Sequence, residues 1–222
     1  MKNKSYILLV ALTLSFVTVS FAQRYRIQNT IGVYGGLTTF DIKTDNFTTQ
    51  SNNGWLGGMA ALVDLPHKFY NISYNIQLSE NNVDISAAPS GGNSEFVEYK
   101  LFAAQIALNM HVKLIENHLT LDLGPMLQYN GKLEVKDENK ENYIIDGFNS
   151  LTAADITDIT QFNVNGAVGA TAGINNVKVR AQYIYGFTNM LNKLNNQDFN
   201  LGNSENFKGN QSMLVFSLMV AF

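Results

Sequence analysis

The segment from Tyr70 to Ser79 alternates strictly between apolar and polar residues. Its even positions carry Tyr, Ile, Tyr, Ile and Leu, and its odd positions carry Asn, Ser, Asn, Gln and Ser. A period of two along such a segment predicts a β-strand with one apolar face and one polar, uncharged face. About ten residues are also what a tilted strand needs to cross the hydrocarbon layer of a membrane. The chain must therefore build a sheet that can bury or otherwise cover this apolar face.

The N-terminus has the pattern of a secretory signal peptide. Two early lysines precede an apolar core at 6–17, and a Ser-Phe-Ala sequence ending at Ala22 is typical of a cleavage site before Gln23. The apolar core is too short for a membrane helix, and no later segment approaches the roughly 18 apolar residues that such a helix requires. We predict a signal peptide at 1–22 and one exported domain at 23–222. That domain would have to cross a membrane as strands closed on themselves.

Composition excludes several classes of function. The 222 residues carry a net charge of −3 with only 15% charged residues, which argues against a nucleic-acid partner. Cysteine is absent, so the chain forms no disulfide, thiolate metal site or cysteine nucleophile. No glycine-rich phosphate loop follows a strand, and we expect no cofactor. The loop acids Asp137, Glu138, Asp155 and Asp158 do not follow the spacing of a calcium loop, and we expect no metal site.

Eight segments with strand character are joined by connections that alternate between long and short. The predicted strands are 30–40, 54–65, 69–79, 96–114, 119–131, 161–174, 177–188 and 211–222. Long polar loops are predicted at 41–53, 80–95, 132–160 and 189–210, and short turns at 66–68, 115–118 and 175–176. Outer-membrane barrels place short turns on one side and long loops on the other. The pattern predicts an all-β, eight-stranded antiparallel up-and-down transmembrane β-barrel, with a short helix at 149–159 in the third long loop.

Two tight turns make the strand register testable. A two-residue turn at Glu116-Asn117 pairs Ile115 with His118 and brings the polar faces of both strands together. An Asn175-Asn176 turn does the same for the sixth and seventh strands. The opposed pairs are then His111 with Asp122, Lys113 with Thr120, Thr171 with Arg180, and Gly169 with Gln182. In the second strand, Asp64 favours even positions inward.

The charged residues among these positions predict an interior polar cluster near the short turns. Its members are His111, Asp122, Lys113 and Arg180. Buried charges must be paired, so the cluster is expected to be an internal ion-pair network. The alternative is a catalytic His–Asp pair, which needs a nucleophile. Ser217 can face inward, but nothing in the sequence places it beside His111.

Two features favour lipid over water outside the barrel. The polar faces carry few charges, whereas a solvent-facing sheet carries more Lys and Glu. Aromatic residues also lie near strand ends on the apolar faces, as in the interface girdles of membrane barrels. These are Tyr70, Tyr129, Tyr185, Phe187 and Trp55. The last strand places Leu218, Val220 and Phe222 at alternate positions and ends on the aromatic residue.

This terminal strand looks like the assembly signal of bacterial outer-membrane proteins. Together with the signal peptide, the eight strands and the Asn-rich loops, it resembles the small PorT-like outer-membrane β-barrel family of Bacteroidota. The resemblance implies a cell outer-membrane location, contact with outer-membrane lipid and with the barrel-assembly machinery, and in some relatives a link to protein secretion. An envelope protein partner is compatible with it.

Three functions stay open at this point. The first is a structural or interaction protein, not an enzyme, that presents four long external loops. The second is an outer-membrane enzyme acting on lipid or surface protein, which needs a cluster of catalytic groups at a barrel mouth. The third is a secreted soluble barrel that binds a small apolar ligand.

Overall fold

The computed structural model describes residues 27–116, 118–174, 176–197, 199 and 206–222. The predicted signal peptide and its cleavage site lie outside the described residues. The strands are β1 (Gln28–Thr44), β2 (Thr49–Asp64), β3 (Tyr70–Ala88), β4 (Glu95–Ile115), β5 (Leu119–Val135), β6 (Ile144–Ile145), β7 (Phe162–Ile174), β8 (Val177–Gly186) and β9 (Gly209–Ala221). Short 3₁₀ helices occupy Glu138–Lys140, Asp155–Thr157 and Asn192–Asn196.

Eight of these strands form a closed antiparallel ring. Each long strand pairs with its neighbour in sequence, β5 pairs with β7, and β1 pairs with both β2 and β9. The two-residue β6 is an addition to the ring that pairs with the far end of β3. The predicted eight-stranded up-and-down barrel is therefore confirmed. Among the described residues, no helix has both the length and the apolar character that a membrane span requires.

The segment 70–79 has the facing that its alternation predicts. Ser73, Asn75 and Gln77 are buried in the lumen, whereas Ile76 and Leu78 are 64% and 61% exposed on the outer face. The same parity continues around the ring and produces an outward apolar band. Its members include Ile31, Val33, Leu37, Met59, Tyr74, Ile106, Leu108, Leu121, Leu123, Leu127, Val168, Val179, Phe216, Leu218 and Val220. In β2 the even positions face inward, as Asp64 suggested.

Aromatic side chains mark one border of this band. Glu80 pairs with Trp55 on one neighbouring strand and with Phe102 on the other, and Tyr129 pairs with Phe162. The four aromatic residues are between 47% and 56% exposed. Trp55 and Phe102 flank Glu80, and Tyr129 lies opposite Phe162, so the four rings mark an aromatic border on the outer face of β2, β4, β5 and β7.

Beyond this border the polarity of the strands reverses. In β3 and β4 the inward positions become apolar, with Val83, Ile85, Tyr99 and Leu101 fully buried. The outward positions become charged and form cross-strand ion pairs, Lys100 with Glu134 at 3.1 Å and Lys136 with Glu98 at 2.7 Å. The period of two therefore continues for several residues past the band while its two faces exchange character.

This reversal corrects the predicted loops at 41–53 and 80–95. Most of both segments is strand, and the connections shrink to 45–48 and 89–94. Residues such as Glu80, Asn81 and Asn82 look like a polar loop, but they continue β3, and Asn81 is fully buried in the lumen. The barrel has two long loops at this end, at 136–161 and 187–208, instead of the four predicted.

The long-loop end of the barrel holds an apolar cluster. Side chains from the loops pack onto the strand extensions, and they include Phe47, Ile145, Leu151, Ile156, Ile159, Leu194 and Phe207. The predicted helix at 149–159 is wrong, since the segment forms only the 3₁₀ turn at Asp155–Thr157. Burial of its apolar residues in the cluster fixes the loop without a regular helix.

The opposite, short-turn end carries the start of β1, the end of β9 and the turns between β2 and β3, β4 and β5, and β7 and β8. The predicted pairs of His111 with Asp122 and Lys113 with Thr120 are present. Ile115, however, pairs with Leu119 instead of His118, because an irregularity between Lys113 and Ile115 shifts the register by one residue. The β7–β8 register is as predicted, with Thr171 opposite Arg180. Asn117 and Asn175 lie outside the described residues.

Candidate functional site

A row of glutamines crosses the lumen between the apolar cluster and the short-turn end. We call Gln77, Gln105, Gln128 and Gln211 the glutamine belt. Gln77 donates to Gln105, Gln105 donates to Gln128 at 2.8 Å, and Gln128 contacts Gln211 at 2.7 Å. The Tyr34 hydroxyl donates to Gln77 at 2.8 Å and adds a fifth strand. The belt ties β1, β3, β4, β5 and β9 together, and its side chains fill the lumen of a barrel of this size.

Below the belt, Asp122 is the centre of a buried hydrogen-bond network. Its Oδ1 lies 2.6 Å from Nδ1 of His111 and accepts a bond from the Thr120 hydroxyl at 2.7 Å. Its Oδ2 accepts from Thr171 and lies 3.5 Å from Nε of Arg180. The carboxylate is completely buried, so these donors and the guanidinium compensate for the water that it has lost. The network is therefore needed for Asp122 to be ionised inside the barrel.

The network extends to a serine on the next strand. Ser73 Oγ lies 2.8 Å from Nε2 of His111 and accepts a bond from Asn75 Nδ2 at 2.9 Å. Serine, histidine and aspartate thus follow one another as in a serine hydrolase. Ser73, however, is fully buried, and its hydroxyl already bonds both the imidazole and the amide. This oxygen is therefore not accessible to a substrate carbonyl in the folded barrel.

The structure brings together three of the four predicted cluster residues. His111 and Arg180 both contact Asp122 directly. Lys113 lies apart from them and pairs with Asp64 at 3.3 Å, while also donating to the Leu65 carbonyl oxygen at 3.2 Å. Ser217 faces the lumen, as expected, but the hydroxyl beside His111 belongs to Ser73.

A cavity of about 600 Å³ lies under this network, between it and the short-turn end. His111, Thr171 and Arg180 belong both to the network and to its wall. Nearer the barrel end the wall carries Asp64, Asn71, Lys113 and Lys178. The buried network closes the cavity on the side of the belt. A molecule therefore enters it from the short-turn end.

The cavity has an unequal balance of charge. Lys113, Lys178 and Arg180 line it, whereas the side-chain carboxylates nearest to it among the described residues are Asp64, paired with Lys113, and Asp122, buried behind the wall and bonded to its own donors. Lys178 is half-buried. Within the described part of the chain, Lys178 makes no hydrogen bond or contact ion pair, although Asp64 and Asp122 act on it through space. Lys178 is therefore a cation in the cavity wall without a contacting carboxylate among the described residues.

The remaining predicted residues lie away from this cavity. Leu218, Val220 and Phe222 lie on the outer face, with exposed fractions of 52%, 45% and 69%. Three of the four loop acids have structural partners: Asp137 caps a 3₁₀ turn, Asp155 accepts from Thr152, and Asp158 pairs with Lys193. No group of three metal-binding side chains occurs among the described residues.

Solved structures with the same architecture are outer-membrane barrels. Neisserial surface protein A aligns over 88% of this chain and 99% of its own, with 12% sequence identity and a TM-score of 0.51. The fold is that of an eight-stranded outer-membrane barrel. The attachment invasion locus protein Ail of Yersinia pestis, solved with the heparin analogue sucrose octasulfate, aligns over 88% of this chain and 99% of its own, with 8% identity and a TM-score of 0.46. Neither a family model nor a curated protein matches the sequence.

Proposed function

We propose that the protein is a non-enzymatic outer-membrane barrel that is closed to diffusion and presents a rigid external platform for an interaction partner. The carrying observation is the band of exposed apolar side chains, which ends at the aromatic border where the strands exchange their polar and apolar faces. Hydrocarbon explains the exposed Leu and Ile side chains, and water explains the outward Lys and Glu beyond the border. Lipid of the outer membrane is then the immediate partner.

The short-turn end faces the periplasm in this proposal, and the long-loop end faces outward. Outer-membrane barrels have short periplasmic turns and longer external loops. Insertion with this orientation requires the barrel-assembly machinery, and the terminal strand with Leu218, Val220 and Phe222 is the segment that resembles its recognition signal. Kinship with PorT-like proteins and a role in secretion stay predictions of the sequence.

The lumen supports a closed barrel and argues against the soluble alternative. The glutamine belt and the Asp122 network fill its middle with hydrogen-bonded side chains. A carrier for a small apolar ligand needs an apolar cavity, whereas the middle of this lumen is filled by hydrogen-bonded Ser, Asn, Gln, Asp and Arg side chains.

The external part of the barrel supports an interaction role. Strands β3, β4 and β5 extend beyond the aromatic border, and the loops pack onto them through the apolar cluster. Tyr99 inside this cluster also donates a hydrogen bond to the Ala153 carbonyl oxygen at 3.1 Å. Two packed loops and two tight hairpins therefore form a preorganised surface, which lowers the ordering cost of binding an envelope or extracellular protein.

Single-cysteine labelling tests the location and orientation, because the natural chain has no cysteine to interfere. Lys136→Cys lies beyond the aromatic border, Leu78→Cys in the apolar band, and Glu116→Cys in a short turn. On intact cells, a membrane-impermeant maleimide is expected to label only Lys136→Cys. After the outer membrane is opened it should also label Glu116→Cys, while Leu78→Cys reacts only after denaturation.

The matched control is Gln77→Cys, at the position next to Leu78. Its side chain faces the lumen, so burial inside the barrel protects it from the aqueous reagent, whereas lipid protects Leu78→Cys. A lipid-soluble maleimide separates the two, since it should reach Leu78→Cys and not Gln77→Cys. Recovery of the protein in the soluble periplasm, or labelling of Leu78→Cys by the aqueous reagent in membranes, would refute the membrane location. Labelling of Glu116→Cys on intact cells would reverse the orientation.

A further inference from the structure

We propose that the cavity at the short-turn end is a binding site for one phosphate or carboxylate group. The chemistry is that of a small anion held by ammonium and guanidinium groups in a partly enclosed, polar pocket. The site lies between the Asp122 network and the barrel opening.

The charge balance carries this proposal. Asp64 is held by Lys113 at 3.3 Å, and Asp122 is held by His111, Thr120, Thr171 and Arg180. Both carboxylates are therefore engaged, and the Lys178 ammonium group has no contact partner among the described residues. An ammonium group that is half removed from water loses part of its hydration. An anion in the cavity restores this lost interaction.

The position of the second cation sharpens the choice of ligand. Arg180 is only 5% exposed in the free barrel, and its Nε is engaged by Thr171 at 3.0 Å. Lys178 and Arg180 are two residues apart in β8 and therefore point to the same face, so both side chains belong to one wall of the cavity. Two adjacent cations repel each other, and an oxyanion between them converts this repulsion into attraction. The wall therefore prefers an anion over a cation or an uncharged molecule.

The remaining wall residues define what the anion can carry. Thr30, Asn71, Thr120 and Asn176 supply uncharged polar groups, His118 supplies an imidazole, and Leu62, Val63, Leu119 and Ala221 supply apolar surface. A volume of about 600 Å³ exceeds what an inorganic phosphate needs, so a larger molecule can place its anionic group inside. If the barrel is oriented as proposed above, that group comes from a soluble periplasmic molecule or from a lipid headgroup of the inner leaflet.

Binding is measured on the purified, folded barrel with inorganic phosphate as the probe. In zwitterionic nanodiscs at constant ionic strength, ³¹P line broadening should saturate for the natural protein. Lys178→Met should weaken the apparent Kd at least tenfold, which corresponds to about 1.4 kcal/mol. Lys178→Arg should retain binding, and Lys208→Met, in an exposed external segment, should leave it unchanged.

Asp64→Asn is expected to change the phosphate affinity in the opposite direction to Lys178→Met. It removes a negative charge and frees Lys113, so it should tighten phosphate binding. Nanodiscs that contain phosphatidylglycerol separate the two sources, since competition from the added lipid indicates a headgroup and unchanged affinity indicates a soluble anion. Absence of saturable binding, or equal binding by the natural protein, Lys178→Met and Asp64→Asn, would overturn the proposal. These outcomes do not depend on the cysteine labelling, so the two proposals fail separately.

Discussion

Replacement of Asp122 by alanine tests whether the polar lumen stabilises the barrel. The substitution removes an ionised acceptor from His111, Thr120 and Thr171 and leaves the buried guanidinium of Arg180 without its nearest carboxylate. Breaking a buried ion pair by removing one partner costs about 3 to 5 kcal/mol. Since folded domains are stable by only about 5 to 15 kcal/mol, we expect a large fraction of the stability to be lost.

The matched control is Glu134→Ala, which removes the partner of Lys100 on the outer surface. Glu134 is 58% exposed and lies 3.1 Å from that lysine, so the loss should be at most about 1 kcal/mol. The assay is urea unfolding in lipid, followed by fluorescence of the single tryptophan, Trp55. A semi-native gel after stepwise heating gives an independent readout of the folded barrel. If Asp122→Ala and Glu134→Ala unfold with equal free energies, the network does not stabilise the lumen.

Three further predictions concern packing, titration and reactivity. A Cβ at Gly124 would overlap the Leu108 carbonyl oxygen, so Gly124→Ala should cost about 1 to 3 kcal/mol in urea unfolding, whereas Gly35→Ala, whose nearest neighbour is 3.7 Å away, should be close to neutral. Equal costs would contradict the close approach of strands at Gly124. Burial raises the pKa of Tyr99 in the external cluster above its ordinary value of about 10. Above that pH the unfolded chain releases this proton and the folded barrel keeps it, so stability should fall with rising pH more steeply in the natural protein than in Tyr99→Phe. Parallel stability–pH curves would argue against the buried phenol. Finally, a fluorophosphonate should leave Ser73 unmodified in the folded barrel, and mass-spectrometric detection of an adduct that Ser73→Ala abolishes would restore the enzyme hypothesis.

The pairing of His111 with Asp122 could be predicted because β4 and β5 are joined by a tight turn. A short connection leaves few registers, and the polar faces must coincide. Ser73 reaches the same histidine from β3, which is joined to β4 by a longer connection. No local rule sets the register across such a connection, so this contact could not be derived from spacing. Likewise, Asp64 meets Lys113 across three strands, from β2 to β4.

The prediction for β3, which ends at 79 instead of Ala88, fails for a different reason. The prediction rests on alternation with apolar residues outward as the mark of a strand, and on polar residues as the mark of a loop. Past Glu80 the period of two persists, but Asn81 still fills the lumen, and the next inward residues are Val83 and Ile85. The surrounding solvent changes from hydrocarbon to water at this height. The assumption that outward positions are apolar along the whole strand therefore ends the predicted β3 too early.

In the proposed outer-membrane location, the exchange of faces at the aromatic border also fixes the depth of the barrel in the bilayer. Sliding inward by two residues would draw the ion pairs of Glu98, Lys100 and Glu134 toward hydrocarbon, where the cost of a lysine rises from at most about 1 kcal/mol near the interface to about 2 to 4 kcal/mol at the midplane. Sliding outward would lift Ile76 and Leu78 into water, at about 25 cal/mol for each Å² of apolar surface. Both displacements are opposed by side chains on the same strands. In the proposed orientation, the barrel therefore has one preferred depth, and the external platform stays at a constant height above the membrane.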